Sequence, residues 1–472
     1  MRVRNPFRLG ATLFSSAGQA AVGAAIAALA GLAAASGQGS LLLVVGLALL
    51  GLAALWRWPA LTVLALVVIC QEIGPNDGFG RGGSALLFLG HQLYQTVSRI
   101  SVFTLIEAVA FARVMLIEPP RRPHLPAALL VATMGLWYSA TVWLDGSAVT
   151  SAINQDARYA LLFLFAFGLG AWARGRVAWR RLLIPVMLGV FTALALIGSY
   201  LAATGQGQAQ SGLNIIFYDT ATGTAAGAVA LAVVLAPSRV RDRRVWWLGG
   251  MALLVVILSS RRAVWAAMVV ALLVGLMVGR NRARLILRGL SVLAGILITL
   301  AIFAPSVLSE IGRQLATVWG ATQGSAADNS TQGHLSDVSV GIRAVLAHPV
   351  AGIGAGGHLP GLVVETPGPL YIHNQILESW LRFGIVAALL VVAVQVTLIR
   401  QAIVLLRRHA DDLTVSWAAL LLIMAPVAML TAPFFTQNQR WPAMIGLAGG
   451  LVAARAAPAA LSAPASEPGG PG

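Results

Sequence analysis

The chain has no lysine, and all 32 of its basic residues are arginine. Charged residues make up only 10% of the 472, against about a quarter in a soluble domain, which excludes a water-soluble globule. A single cysteine, Cys70, lies within an apolar run. No intrachain disulfide can form, and the redox compartment is not readable. An HExxH helix, a zinc-spaced Cys/His cluster, a Walker loop and a GxSxG elbow are all missing. The acids Asp328, Asp337, Glu365 and Glu378 are dispersed, which disfavours a carboxylate-bound divalent metal. Without a nucleotide motif, the energy of any reaction must come from the substrate itself or from an ion gradient.

What is present is apolar sequence: 58% hydrophobic residues and a mean hydropathy of +0.82. The net charge of +16 would suggest a nucleic-acid partner in a soluble protein. Here the arginines fall in short loops between apolar runs, the pattern that sets membrane topology, so no nucleic acid is expected. The reading is an all-α polytopic membrane protein with about 12–14 transmembrane helices and one large helical external loop.

Candidate spans cover 19–35, 41–56, 60–73, 100–117, 127–144, 159–173, 182–203, 222–236, 245–258, 263–278, 285–303, 385–399, 417–430 and 444–454. The basic N-terminus with its following apolar run is read as a retained first span. Threaded from a cytoplasmic N-terminus, these spans place most arginines inside and put both termini there. The expected organisation is transmembrane helices over 1–304, a large loop over 305–384 with the catalytic motif, C-terminal spans over 385–455 and a disordered tail over 456–472.

The arginines left on the outer side are Arg81, Arg99, Arg158, Arg261, Arg262, Arg313, Arg343, Arg382 and Arg440. Cations kept where topology disfavours them suggest an anionic ligand, whereas Arg81 and Arg99, which flank a loop, read as plain solvated charges. Arg261 and Arg262, in SSRR, stand between two apolar runs with almost no loop. Two guanidiniums there sit at the membrane boundary, where an anionic head group would relieve their cost.

Residues 371–384, YIHNQILESWLRFG, close the large loop. Read as a helix, Asn374, Glu378 and Arg382 share a face, with Glu378 ahead of Arg382 in the favoured order. His373 stands at the helix start, where an imidazole can take or return a proton near neutral pH; a His–Asn pair that only caps the helix is the alternative. Upstream, Leu335, Val338, Ile342, Val345 and Leu346 fall on one face of an expected helix that could lie on the membrane surface. The run GIGAGGH after Pro349 either lets backbone amides approach an anion or simply connects helix to loop. An outer cluster of arginines plus one histidine suits a lipid-pyrophosphate sugar donor: guanidiniums hold the leaving diphosphate and the imidazole deprotonates the attacking hydroxyl.

The sequence resembles the O-antigen ligase and polysaccharide polymerase superfamily of bacterial inner-membrane proteins. HNQILESWLRFG, the preceding HPVAGIGAGG and SSRRA opening a span carry the likeness, in the expected order over the second half of the chain. The resemblance implies a multi-pass protein of the bacterial inner membrane with a periplasmic active face. The activity it implies is transfer of a saccharide from an undecaprenyl-pyrophosphate donor to a glycan, lipid or protein acceptor, without metal or other cofactor. It implies His373 as the essential histidine, supported by Asn374 and Glu378, and Arg261 or Arg262 on the pyrophosphate. Where the family has another arginine ahead of the Pro–Gly turn, this chain has His334; Arg313 and Arg343 are the other candidates. The competing class is a lipid-linked oligosaccharide flippase, disfavoured by the large structured loop and the lack of an internal repeat.

Overall fold

The computed structural model describes residues 59–71, 96–97, 100–118, 124–144, 153–174, 176–204, 208–210, 213–215, 219–236, 242–259, 261–278, 329–355, 359–362, 372–431 and 440–454, with isolated positions between. The first expected span, the second apart from Trp56, most of the span at 285–303, Arg81, Arg99, Arg313 and the tail lie outside the described residues. The chain divides into two compact units, Met1–Pro59 and Ala60–Gly472. All the helices below belong to the second, apart from Pro59 itself.

In order they are α1 (Pro59–Ile69), α2 (Val102–Ile117), α3 (Leu125–Leu144), α4 (Ile153–Arg174), α5 (Val177–Ala203), α6 (Thr220–Leu235), α7 (Arg243–Ser259), α8 (Arg262–Val278), α9 (Asn329–Ala347), α10 (Gln375–His409), α11 (Leu413–Met429) and α12 (Arg440–Ala453). Two antiparallel hairpins interrupt them, β1 (Thr96–Val97) with β2 (Ile100–Ser101), and β3 (Gln208–Gln210) with β4 (Leu213–Ile215). Each apolar run expected to span, where described, lies in a helix apart from one or two residues at an end. Three of these are long and apolar enough to cross a membrane: Leu125–Val142, Leu182–Leu201 and Gln375–His409. Those at Tyr159–Arg174, Thr220–Leu235, Arg262–Val278 and Leu413–Met429 are apolar but shorter.

The helices sort by exposure. Almost every residue of α6, α11 and α12 is buried, so these form the centre of the bundle. Around them α3, α5, α8 and α10 turn Leu129, Leu136, Leu182, Leu196, Val269, Leu273, Met277, Leu389 and Val396 outward. Apolar surface on this scale belongs against lipid. Together with the long apolar helices, it marks a multi-pass membrane protein. Pro185 in α5 and Pro426 in α11 are tolerated as prolines are in membrane helices.

Helix α12 packs through glycine. A Cβ added at Gly446 or Gly450 would strike the backbone of Phe163 or Phe167 on α4, and one at Gly170 would strike Leu447. Close backbone approach of this kind replaces the hydrophobic drive that lipid does not supply. The matched order, Phe163 with Gly446 and Phe167 with Gly450, makes α4 and α12 parallel. At their far end the amide of His124, just before α3, donates to the carbonyl of Ala453 at 2.9 Å.

Candidate functional site

The site is built where α10 begins. Asn374 caps the helix, its side-chain oxygen accepting from the amides of Ile376 and Leu377 at 3.1 Å each. This satisfies two of the four amides a helix N-terminus leaves open. His373 immediately precedes the cap, and its Nδ1 lies 2.9 Å from Oδ2 of Asp337 on α9. The aspartate is fully buried and the imidazole 20% exposed, so one ring nitrogen is held from within the protein while the ring keeps an outlet. A carboxylate accepts, so Nδ1 is the donor in this contact.

Glu378, in the first turn of α10, pairs with Arg382 one helical turn on at 3.2 Å, both side chains essentially buried, in the order read from their spacing. Arg382 also lies over the ring of Phe383 at 5.5 Å. A buried guanidinium engaged with a carboxylate gives Arg382 a partner within the protein at the boundary. Arg440 is similar: it pairs with Asp219 at 3.0 Å, and Asp219 also caps α6 by accepting from Thr222 at 2.7 Å.

After Phe383 the helix breaks. Gly384 sits at φ 80°, ψ 174°, a region open essentially to glycine alone. The segment after Pro349 docks on this break. The amides of Ile353 and Gly354 donate to the carbonyl of Leu381 at 2.7 and 3.2 Å, and the amide of Ile385 donates to the carbonyl of Val350 at 2.9 Å. A Cβ on Gly352 would collide with the carbonyls of Trp380 and Leu381. In the run GIGAGGH these contacts cap a broken helix, so two of the amides open to an anion in the sequence reading are engaged within the chain.

A small apolar core locks α9 and this segment to α10: Ala344, Val345, Leu362, Ile372 and Leu381, flanked by Val340, Leu377 and Trp380. The shared face expected on α9 divides accordingly. Val345 is buried with Asp337, Gly341 and Ala344 against α10, while Leu335, Ile342 and Leu346 face outward. The first half of the chain contributes too. On α3, Tyr138 donates to Oγ of Ser379 at 2.7 Å, Trp137 donates to the carbonyl of Phe383 at 3.1 Å, and the rings of Tyr138 and Phe383 lie 4.3 Å apart. Gln375 donates to the same Ser379 hydroxyl at 2.8 Å. The catalytic candidate is thus anchored to a membrane helix some 240 residues upstream, as the Tyr138–Ser379 separation of 241 records.

Arg261 and Arg262 are half-buried at the start of α8, which packs on α6, α10 and α11. A Cβ on Gly223, in the first turn of α6, would touch Ser259 and Val264 on either side of the arginine pair. The Asp219–Arg440 bridge joins that turn to the start of α12. Since α4 runs parallel to α12, and α3 leads into the start of α4 from the half that holds Trp137 and Tyr138, His373, Arg261 and Arg262 lie at the same end of the bundle. Arg343 is exposed on α9, turned away from the buried face that carries Asp337. His334 belongs to α9, three residues before Asp337.

Asp337 escaped the sequence reading, which saw it only as one of several scattered acids. Its signal was there: a carboxylate on the same helical face as Gly341, Ala344 and Val345, where a charge needs a partner. Among the described residues no group of three or more His, Cys, Asp and Glu is arranged to hold a metal ion.

No curated protein sequence matches the chain. Residues 247–392 match the family model for O-antigen ligase. The matched stretch runs from α7 into the membrane part of α10, so it takes in the arginine pair, Asp337 and the whole start of α10.

Proposed function

We propose, because the chain belongs to the O-antigen ligase family, that it is a glycan ligase or polymerase that moves a saccharide from an undecaprenyl-pyrophosphate donor to an acceptor hydroxyl at the periplasmic face of the bacterial inner membrane. The observation that carries the reading is the 2.9 Å contact between His373 and the buried Asp337, at the mouth of a helix that then enters the bundle. Asp337 fixes the ring and its tautomer, leaving Nε2 to take the acceptor's proton. The acceptor oxygen attacks the anomeric carbon, the bond from that carbon to the diphosphate oxygen breaks, and undecaprenyl diphosphate leaves with both bonding electrons. The anomeric centre inverts.

The leaving diphosphate needs fixed positive charge, and guanidiniums meet it with two-pronged hydrogen bonds that stay charged at any physiological pH. In this reading Arg261 and Arg262 hold it, with His334 and Arg343 as further contacts, and the step uses no metal. Asn374 keeps the helix start in shape through its cap. Glu378 acts at one remove, fixing the helix through Arg382 rather than touching the reacting atoms.

The test is purified full-length protein in nanodiscs with a synthetic undecaprenyl-diphosphate saccharide and an acceptor glycolipid. New glycosidic bonds and released undecaprenyl diphosphate, both lost in His373→Ala while the protein still inserts, are the expected result. Translocation of the lipid-linked saccharide without any new bond would overturn the reading in favour of a flippase.

A further inference from the structure

Helix α9 carries a second apolar face that the site does not use. Leu335, Ile342 and Leu346 are 64%, 46% and 74% exposed, and Val350, just past the helix end, is 72% exposed. On the helical wheel the first three form a narrow stripe about 160° from Asp337, on the side away from α10. Solvent-facing stripes of this size are rare on soluble surfaces and call for an occupant.

The position of the stripe identifies that occupant. Its lower end, Val350, receives the amide of Ile385 at 2.9 Å. Ile385 is the first residue of α10 beyond the break, and the outward side of α10 continues with Val386, Leu389, Val392 and Val396, all exposed. The stripe therefore runs without interruption into the surface of a helix long and apolar enough to cross a membrane. Two tryptophans mark the same level. Trp380 donates to the carbonyl of Pro349 at 2.8 Å and Trp137 to that of Phe383 at 3.1 Å, and Trp gathers where a membrane meets water. Arg343 and Ser336, both exposed, flank the stripe on one edge, the arrangement of a helix lying in the interface with its cation reaching for lipid phosphate.

We infer that α9 is an interfacial helix, with Leu335, Ile342, Leu346 and Val350 seated in the acyl region of the bilayer leaflet and Arg343 at its phosphate layer. The consequence is positional. Because Asp337 belongs to the opposite face of the same helix, the dyad with His373 is held just above the leaflet, within reach of a lipid-borne diphosphate and open to an acceptor from water. The inference rests on the packing of α9 and not on the proposed reaction.

It is tested in full-length protein with Cys70→Ala, reconstituted in nanodiscs of phosphatidylethanolamine and phosphatidylglycerol. Nitroxide labels are placed singly at Ile342→Cys, Leu346→Cys and Ser336→Cys, all exposed positions. The expected result is an oxygen-to-nickel-chelate accessibility ratio several-fold higher at 342 and 346 than at 336. Equal ratios at the three positions would overturn the inference by placing the stripe in water. Low accessibility to both reagents at 342 and 346, with spectral broadening removed by diluting with unlabelled protein, would overturn it in favour of a second copy of the chain. Neither outcome depends on activity, so the reading of His373 survives or fails separately.

Discussion

Replacing Asp337 by asparagine removes one negative charge and almost no volume. In the resting protein the change is mild, because an amide oxygen can still accept from Nδ1 of His373 across the present 2.9 Å. Relief of a buried charge also offsets what the weaker hydrogen bond loses. The difference emerges when the imidazole takes the acceptor's proton and becomes a cation. With charge centres about 4 Å apart, the lost attraction is on the order of 4 kcal/mol at an effective dielectric of about 20. That corresponds to about 10³-fold in rate. Screening lowers the figure only in part, since Asp337 is fully buried and the imidazole 20% exposed. Because the attraction arises in the transition state, Asp337→Asn should lower kcat by about 10²- to 10⁴-fold while leaving KM for the donor near its original value. The assay is transfer from a synthetic undecaprenyl-diphosphate saccharide in nanodiscs, with thermal unfolding of the same preparation to confirm an intact fold. A well-folded Asp337→Asn protein that retains kcat within about threefold of the original would refute the role given to the pair.

Gly384→Ala should destabilise the protein by about 1–3 kcal/mol, since the residue is held at φ 80°, ψ 174°, where a side chain is strained. The new Cβ would also stand 2.8 Å from the carbonyl of Val350; an unchanged midpoint of thermal unfolding in detergent would count against the packed break. Arg382→Leu leaves the buried Glu378 without its charge partner and should cost about 3–5 kcal/mol, whereas Glu378→Met together with Arg382→Leu should recover most of it. A double-mutant cycle on unfolding midpoints reads this directly, and additive losses would mean that the two side chains do not act as a pair.

The membrane helices were legible because lipid demands long apolar runs, and the arginine distribution marked where those runs end. The start of α10 was legible for a different reason. Asn374 before a helix is a local capping signal, and Glu378 with Arg382 is an i,i+4 pair, so both follow from spacing alone. The φ of Gly384 and its docking with Val350 could not be read from the sequence. The partner of His373 was hidden by distance: Asp337 lies 36 residues upstream, and only the folding of α9 onto α10 selects it from the other acids. Tyr138 and Trp137 were hidden further still, as two aromatic residues in an ordinary span. Among the outer arginines, Arg440 meets its carboxylate only in three dimensions, on Asp219 221 residues away.

The proposal requires Arg261 and His373 to face one compartment across a shared site. In intact spheroplasts, Arg261→Cys and His373→Cys, each made with Cys70→Ala, should both react from outside with a membrane-impermeant maleimide. Reaction of either one only after the membrane is permeabilised would put the two residues on opposite sides and contradict the account.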